Sequence, residues 1–232
     1  MLSTTASVII PVRSGSKGIK DKNLQRVGSM TLVENAVKKA SAVNIVDYVY
    51  LAIDSGPTGD YCRALFASAK YPKLRLFERS EQSALDDAPT ELVMTEWVSA
   101  LRGQKSEDHL IILIQATSPF FETKHLEEGI TRVKKTGKDV LSVKRDSIFV
   151  WDSEGNPINY FPARRPRRQD WSGVLVENGA FYITTVKKYS DSFCRITPPC
   201  EYVEMKDIES IDIDSALDLA VANMISKTNK TD

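Results

Sequence analysis

The stretch that most constrains the fold is residues 8–23, VIIPVRSGSKGIKDKN, in which an apolar run leads directly into a loop rich in glycine and cations. The loop contains Gly15 and Gly18, and its cations are Arg13, Lys17 and Lys22. Glycine lets backbone N–H groups approach an anion closely, and lysine and arginine neutralise its charge. Because ligands of open α/β sheets bind beyond the carboxyl ends of the strands, the stretch predicts a first strand followed by a phosphate-binding loop.

The loop matches neither of the two common phosphate-binding signatures. G-x-x-x-x-G-K-[ST] is absent because Ile19 and Lys20 follow Gly18, and G-x-G-x-x-G is absent because no third glycine has the right spacing. A mononucleotide-fold hydrolase or dehydrogenase is therefore disfavoured. Taken alone, the residues leave open a second interpretation, a surface turn with solvated lysines.

Strand-like and helix-like segments alternate along the chain. Strands are predicted at 48–53, 74–77, 110–114, 140–143, 174–176 and 181–184, and helices from Thr31 and at 61–69, 91–101, 124–135 and 216–225. The apolar run at 110–114 suits a central parallel strand that is buried on both faces. This rhythm predicts one α/β domain over residues 1–232, with a Rossmann-like, mostly parallel sheet and helices on both faces.

Composition narrows the function classes. The chain has 31 Lys+Arg and 31 Asp+Glu, so it lacks the basic excess of a nucleic-acid binder. Its three cysteines have no C-x-x-C spacing and are expected to be free thiols in a reducing compartment. The sequence shows no signal peptide or membrane span. We therefore expect a soluble, cytoplasmic protein without nucleic-acid or membrane partners, or a nuclear one if the source is an animal.

The pattern breaks at residues 149–172, which combine large aromatics, prolines and the basic run RRPRR. Such a stretch cannot form a regular core helix and is predicted to leave the main sheet. Arginine recognises planar carboxylates with two parallel hydrogen bonds, so the basic run is a candidate acid-binding element. A solvated charge run, a localisation signal and a nucleic-acid patch are the alternatives.

Asp212 and Asp214 are separated by one residue, which places both carboxylates on the same side of an extended segment. Two neighbouring carboxylates repel each other unless a cation lies between them. Mg²⁺ suits this pair because it binds a few carboxylates together with phosphate oxygens. We therefore predict a magnesium site that also accepts Mn²⁺; an Asx-type helix start before Ser215 is the alternative.

Four motifs, in order along the chain, resemble the CMP-sialic acid synthetases (acylneuraminate cytidylyltransferases). The matching segments are RSGSKGIKDKN at 13–23, QATSP at 115–119, RRQDW with ENGAFY at 167–182, and IDID at 211–214. The resemblance implies the reaction of CTP with a nine-carbon sialic acid to give CMP-sialic acid and pyrophosphate. It also implies that 149–172 is a dimerisation arm. The large aromatics of this arm suggest a partner surface in a homodimer, and our hypothesis is that Arg168 completes an active site shared across the dimer.

The resemblance assigns roles to individual residues. The catalytic residues are Lys22, Arg168 and Asp214; the nucleotide ligands are Arg13, Ser16, Lys17, Asn23, Arg79 and Thr90; the sugar-acid ligands are Gln115, Arg168, Gln169 and Asn178; and the metal ligands are Asp212 and Asp214. Lys22 is placed at the α-phosphate and Arg13 further along the phosphates. The chain departs from the family pattern at Ala88, where a hydroxyl is usual, so a contact there would be made through the backbone.

Several alternatives stay open from the sequence. Another sugar acid, such as deaminated neuraminate, could replace the sialic acid, and a nucleotide-binding module without catalysis is a different class of function. Asp86 and Asp87 are alternatively N-cap residues of the next helix, and Gln115 is alternatively a turn-capping residue. The histidines, His109 and His125, lie outside every matched motif and receive no chemical role.

Overall fold

The computed structural model describes residues 5–15 and 18–228. Its strands are β1 (Ala6–Pro11), β2 (Arg26–Val27), β3 (Met30–Thr31), β4 (Val46–Ile53), β5 (Leu74–Glu78), β6 (Leu110–Ile114), β7 (Val140–Asp146), β8 (Val174–Thr185) and β9 (Glu201–Met205). Its helices are α1 (Leu32–Ser41), α2 (Pro57–Ala67), α3 (Glu81–Ala84), α4 (Thr90–Leu101), α5 (Thr123–Thr136), α6 (Val186–Ser192) and α7 (Ala216–Thr228).

Seven strands form the main sheet in the order β5-β4-β1-β6-β8-β7-β9, and β2 pairs with β3 in a small antiparallel ladder. Strand β1 runs parallel to both β4 and β6, and β4 runs parallel to β5. Strand β8 is antiparallel to β6 and to β7, whereas β7 and β9 are parallel. The predicted mostly parallel sheet is confirmed.

The central strands are buried on both faces. In β1, Val8 and Ile10 belong to one hydrophobic cluster and Ile9 belongs to the other. Strand β6 divides in the same way, with Ile112 in the first cluster and Ile111 in the second. Side chains of a strand alternate between faces, so an apolar run fills two cores at once. Helices α1 and α5 cover the first face and α4 and α6 the second, as predicted for a sheet with helices on both sides.

Two predicted helix starts are confirmed by their caps. The Oγ1 atom of Thr31 accepts the Glu34 N–H at 3.1 Å, which ends the β2–β3 ladder and begins α1. At α7, Ser215 Oγ accepts the Asp218 N–H at 3.3 Å, and Asp218 Oδ2 accepts the Ser215 N–H at 2.7 Å. These contacts satisfy N–H groups that have no partner inside the helix.

Some element boundaries differ from the prediction. Helix α2 begins at Pro57, because proline fits the first helical turn, where no N–H is needed. The two short strands predicted at 174–176 and 181–184 are one strand, β8. Gly179, at φ 73°, allows a bulge there, and the β7–β8 register shifts between Leu141 and Val143. The edge strand β9 and the short helices α3 and α6 were not predicted.

Candidate active site

The loop after β1 folds back against its own start. Asn23 is buried, and its Nδ2 atom donates to the carbonyl oxygen of Arg13 at 3.1 Å. A short 3₁₀ turn over Lys22–Leu24 carries Lys22 beside this contact. The amide of Asn23 therefore fixes the loop backbone. Ser16 and Lys17, both predicted nucleotide ligands, lie outside the described residues.

The same loop presses against the acidic segment that precedes α7. A Cβ atom at Gly18 would lie 2.5 Å from the carbonyl oxygen of Asp214, so only glycine allows this approach without movement. The Lys22 Nζ atom lies 2.7 Å from Asp214 Oδ1. Segments from the two ends of the chain thus meet, with a cation and a carboxylate in contact.

A cavity of about 330 Å³ opens at this point. Its lining residues are Pro11, Arg13, Gly18, Lys22, Asn23, Arg79, Leu85, Ala88, Thr90, Val93, Gln115, Ala116, Thr117 and Asp214. Among them are predicted residues that directly follow the carboxyl ends of three parallel strands: Arg79 after β5, Gln115 after β6 and Arg13 just beyond β1. The cavity therefore lies where open α/β sheets bind ligands.

Arg79 is a partly buried cation of the cavity. Burial lowers the pKa of its guanidinium, and the negative charges of Asp54 and Glu96 oppose that shift. Its Nε atom donates to Ser83 Oγ at a long 3.4 Å. A buried guanidinium with weak direct contacts keeps its donors available for a bound acceptor.

Asp212 lies beside Asp214, as their spacing predicts. Desolvation of its carboxylate raises the pKa of Asp212, a hydrogen bond from Thr117 opposes the rise, and the Asp214 charge adds to it. Asp212 is partly exposed to solvent, so its carboxylate is desolvated only where it faces the protein. The raised pKa of Asp212 therefore follows first from burial and then from the neighbouring Asp214 charge.

Three of the four predicted sugar-acid ligands are not among the described residues that line the cavity. Gln169 and Asn178 are described but do not line it, and the side chain of Arg168 is outside the described part of the structure. The Nδ2 atom of Asn178 donates to Ser210 Oγ at 2.9 Å, and Asn178 does not line the cavity. Gln169 is exposed on a short 3₁₀ turn at Arg168–Asp170. The Arg168 side chain lies outside what the structure describes. Within the described chain, Gln115 is the one predicted acid ligand that lines the cavity.

The roles of some residues in and beside the cavity escaped the sequence analysis. Asp86 pairs with the guanidinium of Arg13, and Pro89 holds the N-cap position of α4, so the alternative in which Asp86 and Asp87 cap this helix is wrong. Leu85 and Val93 supply apolar walls. Arg79 and Thr90, both predicted nucleotide ligands, bracket these residues in the sequence and were the available signal, but the pairing of Asp86 with Arg13 depends on how two distant loops pack.

The 149–172 segment folds around its own aromatic residues. The ring centroids of Phe149 and Tyr160 are 4.5 Å apart, and those of Phe149 and Trp171 are 5.6 Å apart. The Arg165 guanidinium lies 4.4 Å from the Phe149 ring centroid, so this arginine is stacked rather than simply solvated. Phe161, at 80% exposed, projects from the segment into solvent.

Comparison with known proteins places the chain in a family. The sequence profile of the family described as Cytidylyltransferase matches residues 7–188, which is most of the chain. The chain therefore belongs to the cytidylyltransferase family.

Individual relatives agree with this assignment. N-acylneuraminate cytidylyltransferase A of Danio rerio is 33% identical over 224 residues, covering 93% of this chain and 49% of the fish protein. CMP-N,N'-diacetyllegionaminic acid synthase of Legionella pneumophila is 26% identical over 235 residues, covering 96% of each chain. The chain spans about half the length of the fish relatives.

The fold has solved counterparts. A structure of CMP:2-keto-3-deoxy-manno-octonic acid synthetase complexed with CTP superposes with a TM-score of 0.67 at 14% identity, over 97% of this chain and 99% of the other.

Among the described residues, no helix is both long and apolar enough to cross a membrane.

Proposed function

We propose that the chain transfers the cytidylyl group of CTP to a sialic acid or a related nine-carbon sugar acid, releasing pyrophosphate. The observation that carries the proposal is one cavity, at the carboxyl ends of parallel strands, that is lined by Arg13, Lys22, Arg79 and Asp214. Cations suit a triphosphate, and a carboxylate beside Lys22 suits its metal ion. The relatives named for N-acylneuraminate and N,N'-diacetyllegionaminic acid support the choice of acid.

The cytidine half of CTP would occupy the part of the cavity near Arg79. Leu85 and Val93 offer apolar contact to a base, and Arg79 offers donors to its acceptor atoms. Thr90 adds a hydroxyl at the start of α4, whereas Ala88 contributes only its backbone polar groups. This assignment places the base against α4 and the phosphates against the β1 loop.

Transfer then takes place at the α-phosphorus. The oxygen of the anomeric hydroxyl attacks and forms a new P–O bond, its proton passes to solvent, and the bond to the departing pyrophosphate breaks. Negative charge grows on the phosphate oxygens as the leaving group departs. Lys22 would stabilise this charge at the α-phosphate, and Arg13 would stabilise it further along the chain of phosphates.

We propose Asp212 and Asp214 as the protein ligands of Mg²⁺. The fit rests on two adjacent carboxylates, of which Asp214 lines the cavity together with Lys22 and Arg13. Within the described residues no group of three or more His, Cys, Asp or Glu side chains suited to a metal is found, so phosphate oxygens and water would supply the remaining ligands. When bound, the ion would neutralise charge on the triphosphate. Lys22 already contacts Asp214, so the metal ligands and the phosphate-binding lysine converge.

The sugar acid would approach from the side of Gln115. Gln169 and Asn178 lie away from the described cavity, and Arg168 belongs to the same basic segment as Gln169. We propose that residues 149–172 form the arm of a homodimer, because Trp151, Ile158 and Phe161 expose large apolar surfaces there. Arg168 and Gln169 would then complete the acid site of the partner subunit.

A pyrophosphate-release assay tests the proposal. Each of CTP, UTP, ATP and GTP is combined with N-acetylneuraminate, deaminated neuraminate or N,N'-diacetyllegionaminate in the presence of Mg²⁺. We expect release with CTP and at least one of these acids. CTP binding without release with any of them would instead support a nucleotide-binding module without catalysis.

A further inference from the structure

Asp54, which follows β4, holds the loop after β1 in place from outside the cavity. Its Oδ2 atom accepts the backbone N–H of Ser14 at 2.9 Å, and its Oδ1 atom accepts the Ser14 hydroxyl at 3.1 Å. Both carboxylate oxygens are therefore used on the residue that directly follows Arg13. Neither Asp54 nor Ser14 lines the cavity, so neither is placed to touch a bound nucleotide.

The packing around this contact leaves little room for movement. Ser14 Oγ also accepts the N–H of Thr58 at 3.2 Å, which ties the loop to the first turn of α2. A Cβ atom at Gly56 would lie 2.4 Å from Ser14 Oγ, and one at Gly59 would lie 2.0 Å from the Asp54 carbonyl oxygen. Two glycines are thus needed for the start of α2 to approach the loop so closely.

Asp54 also lies close in the chain to a backbone contact of Arg79, which lines a different part of the cavity. Arg79 follows the neighbouring strand β5, and its N–H donates to the Ile53 carbonyl at 3.0 Å, one residue before Asp54. Burial lowers the pKa of Arg79, and the negative charge of Asp54 opposes that shift together with Glu96. Arg79 is therefore steadied electrostatically while its donors stay available.

We propose that Asp54 is the positioning residue of the nucleotide site, holding Ser14, and with it Arg13, on one side while its charge supports Arg79 on the other. The proposal rests on the proposed function, since it assumes that the cavity binds CTP. It assigns Asp54 no contact with substrate and no role in bond making.

The chemistry of the contact requires a carboxylate. An asparagine has one acceptor, so it could serve only one of the two Ser14 donors, and its NH₂ group would face the other. Asp54→Asn keeps the shape but removes a charge-assisted hydrogen bond and the charge near Arg79. Ser14→Ala removes only the hydroxyl contacts and leaves that charge in place. Asp60→Asn, an exposed carboxylate on α2, is the matched control.

The experiment is a direct CTP-binding titration of the full chain in Mg²⁺ buffer, together with KM values for CTP and for the sugar acid. We expect Asp54→Asn to raise the CTP dissociation constant and KM about tenfold or more, and Ser14→Ala to raise them by a smaller factor. For Asp54→Asn and Ser14→Ala, kcat and the KM for the sugar acid are expected to stay within about threefold of wild type. For Asp60→Asn, the CTP dissociation constant and the KM for CTP are expected to stay within the same range.

The outcomes separate this inference from the proposed function. Wild-type affinity for CTP in Asp54→Asn overturns the positioning role, as does an equal rise in both KM values, which would indicate general destabilisation. CTP binding by the wild type without turnover of any acid overturns the proposed function alone. If the wild type does not bind CTP, both fall. If Asp54→Asn does not fold by circular dichroism, the titration of Ser14→Ala decides, and unchanged affinity there overturns the inference.

Discussion

The Nζ atom of Lys22 lies 2.7 Å from Oδ1 of Asp214, although 192 positions separate the two residues in the chain. The lysine side chain is 20% exposed and the aspartate side chain 73%. A proposed phosphate-binding cation and a proposed metal ligand therefore occupy one corner of the cavity. The first two predictions test the two sides of this pair.

We expect Lys22→Ala to lower kcat by about 10²-fold while KM for CTP changes much less, because charge at the α-phosphate grows in the transition state. Lys20→Ala, at an exposed lysine of the same loop, is the control and is expected to keep wild-type kinetics. Steady-state pyrophosphate release measures both constants. A variant in which only KM rises would move Lys22 to ground-state binding.

We expect a chelator to abolish activity and added Mg²⁺ or Mn²⁺ to restore it, because Asp212 and Asp214 would share a divalent cation with the triphosphate. Asp214→Asn is expected to lose about 10²-fold or more in kcat. Asp108→Asn, an exposed carboxylate far along the chain, serves as control. Full activity of Asp214→Asn in metal-free buffer would contradict the metal assignment.

We expect the Arg168→Lys change to weaken binding of the sugar acid by about 1–3 kcal/mol, because lysine keeps the charge but cannot form the bidentate hydrogen bonds of a guanidinium. CTP affinity is expected to remain at the wild-type value, since Arg168 is assigned to the acid. Titration with each substrate measures the two effects. A loss of CTP affinity of the same size would remove the assignment to the acid.

The shared site has its own test. Lys22→Ala and Arg168→Ala are each expected to retain only a small residual activity, and mixing them under conditions that exchange subunits is expected to restore one working site in each mixed dimer. Activity then rises well above that of either parent. If mass spectrometry confirms heterodimers and activity does not recover, Arg168 belongs to its own subunit's site or to no site. A monomeric chain in sedimentation would contradict the dimer itself.

We expect stability to fall as the pH drops below about 6.5, because His109 is buried in the core. Burial lowers the pKa of His109 to about 4, and its ring contacts the Ser7 hydroxyl at 2.9 Å. The unfolded chain, with a His pKa near 6.5, binds the proton first, so stability present at neutral pH is lost toward pH 4. The loss attributable to His109 is roughly 2 kcal/mol between pH 7.5 and pH 5. Urea unfolding at both pH values is the measurement.

His109→Gln keeps a polar group but cannot titrate, and it is expected to show a smaller pH dependence by that amount. Its stability at pH 7.5 is expected to be lower than that of wild type because the ring packing is lost. Parallel pH profiles for the two proteins would show that other groups cause the acid destabilisation.

Much of the architecture was predictable from sequence because the signals are local. The run at Leu110–Ile114 is apolar at every position, which requires burial on both faces of a sheet. Thr31 and Ser215 mark helix starts because their hydroxyls satisfy N–H groups only a few residues away. Local signals failed at β9, a short edge strand. They also failed at Gly179, where a left-handed backbone forms a bulge inside one continuous strand, β8, that was predicted as two strands.

The sequence by itself determined the α/β class, the cation-rich loop after the first strand and the paired acids near the end. Only the tertiary structure decided that Gly18 lies against Asp214, that Asp86 pairs with Arg13 and that Asp54 holds Ser14. Each of these contacts joins residues from separate strand-end loops, so it depends on strand order and on loop packing. A spacing rule describes neighbours along the chain, whereas these side chains become neighbours only after the parallel strands align their carboxyl ends.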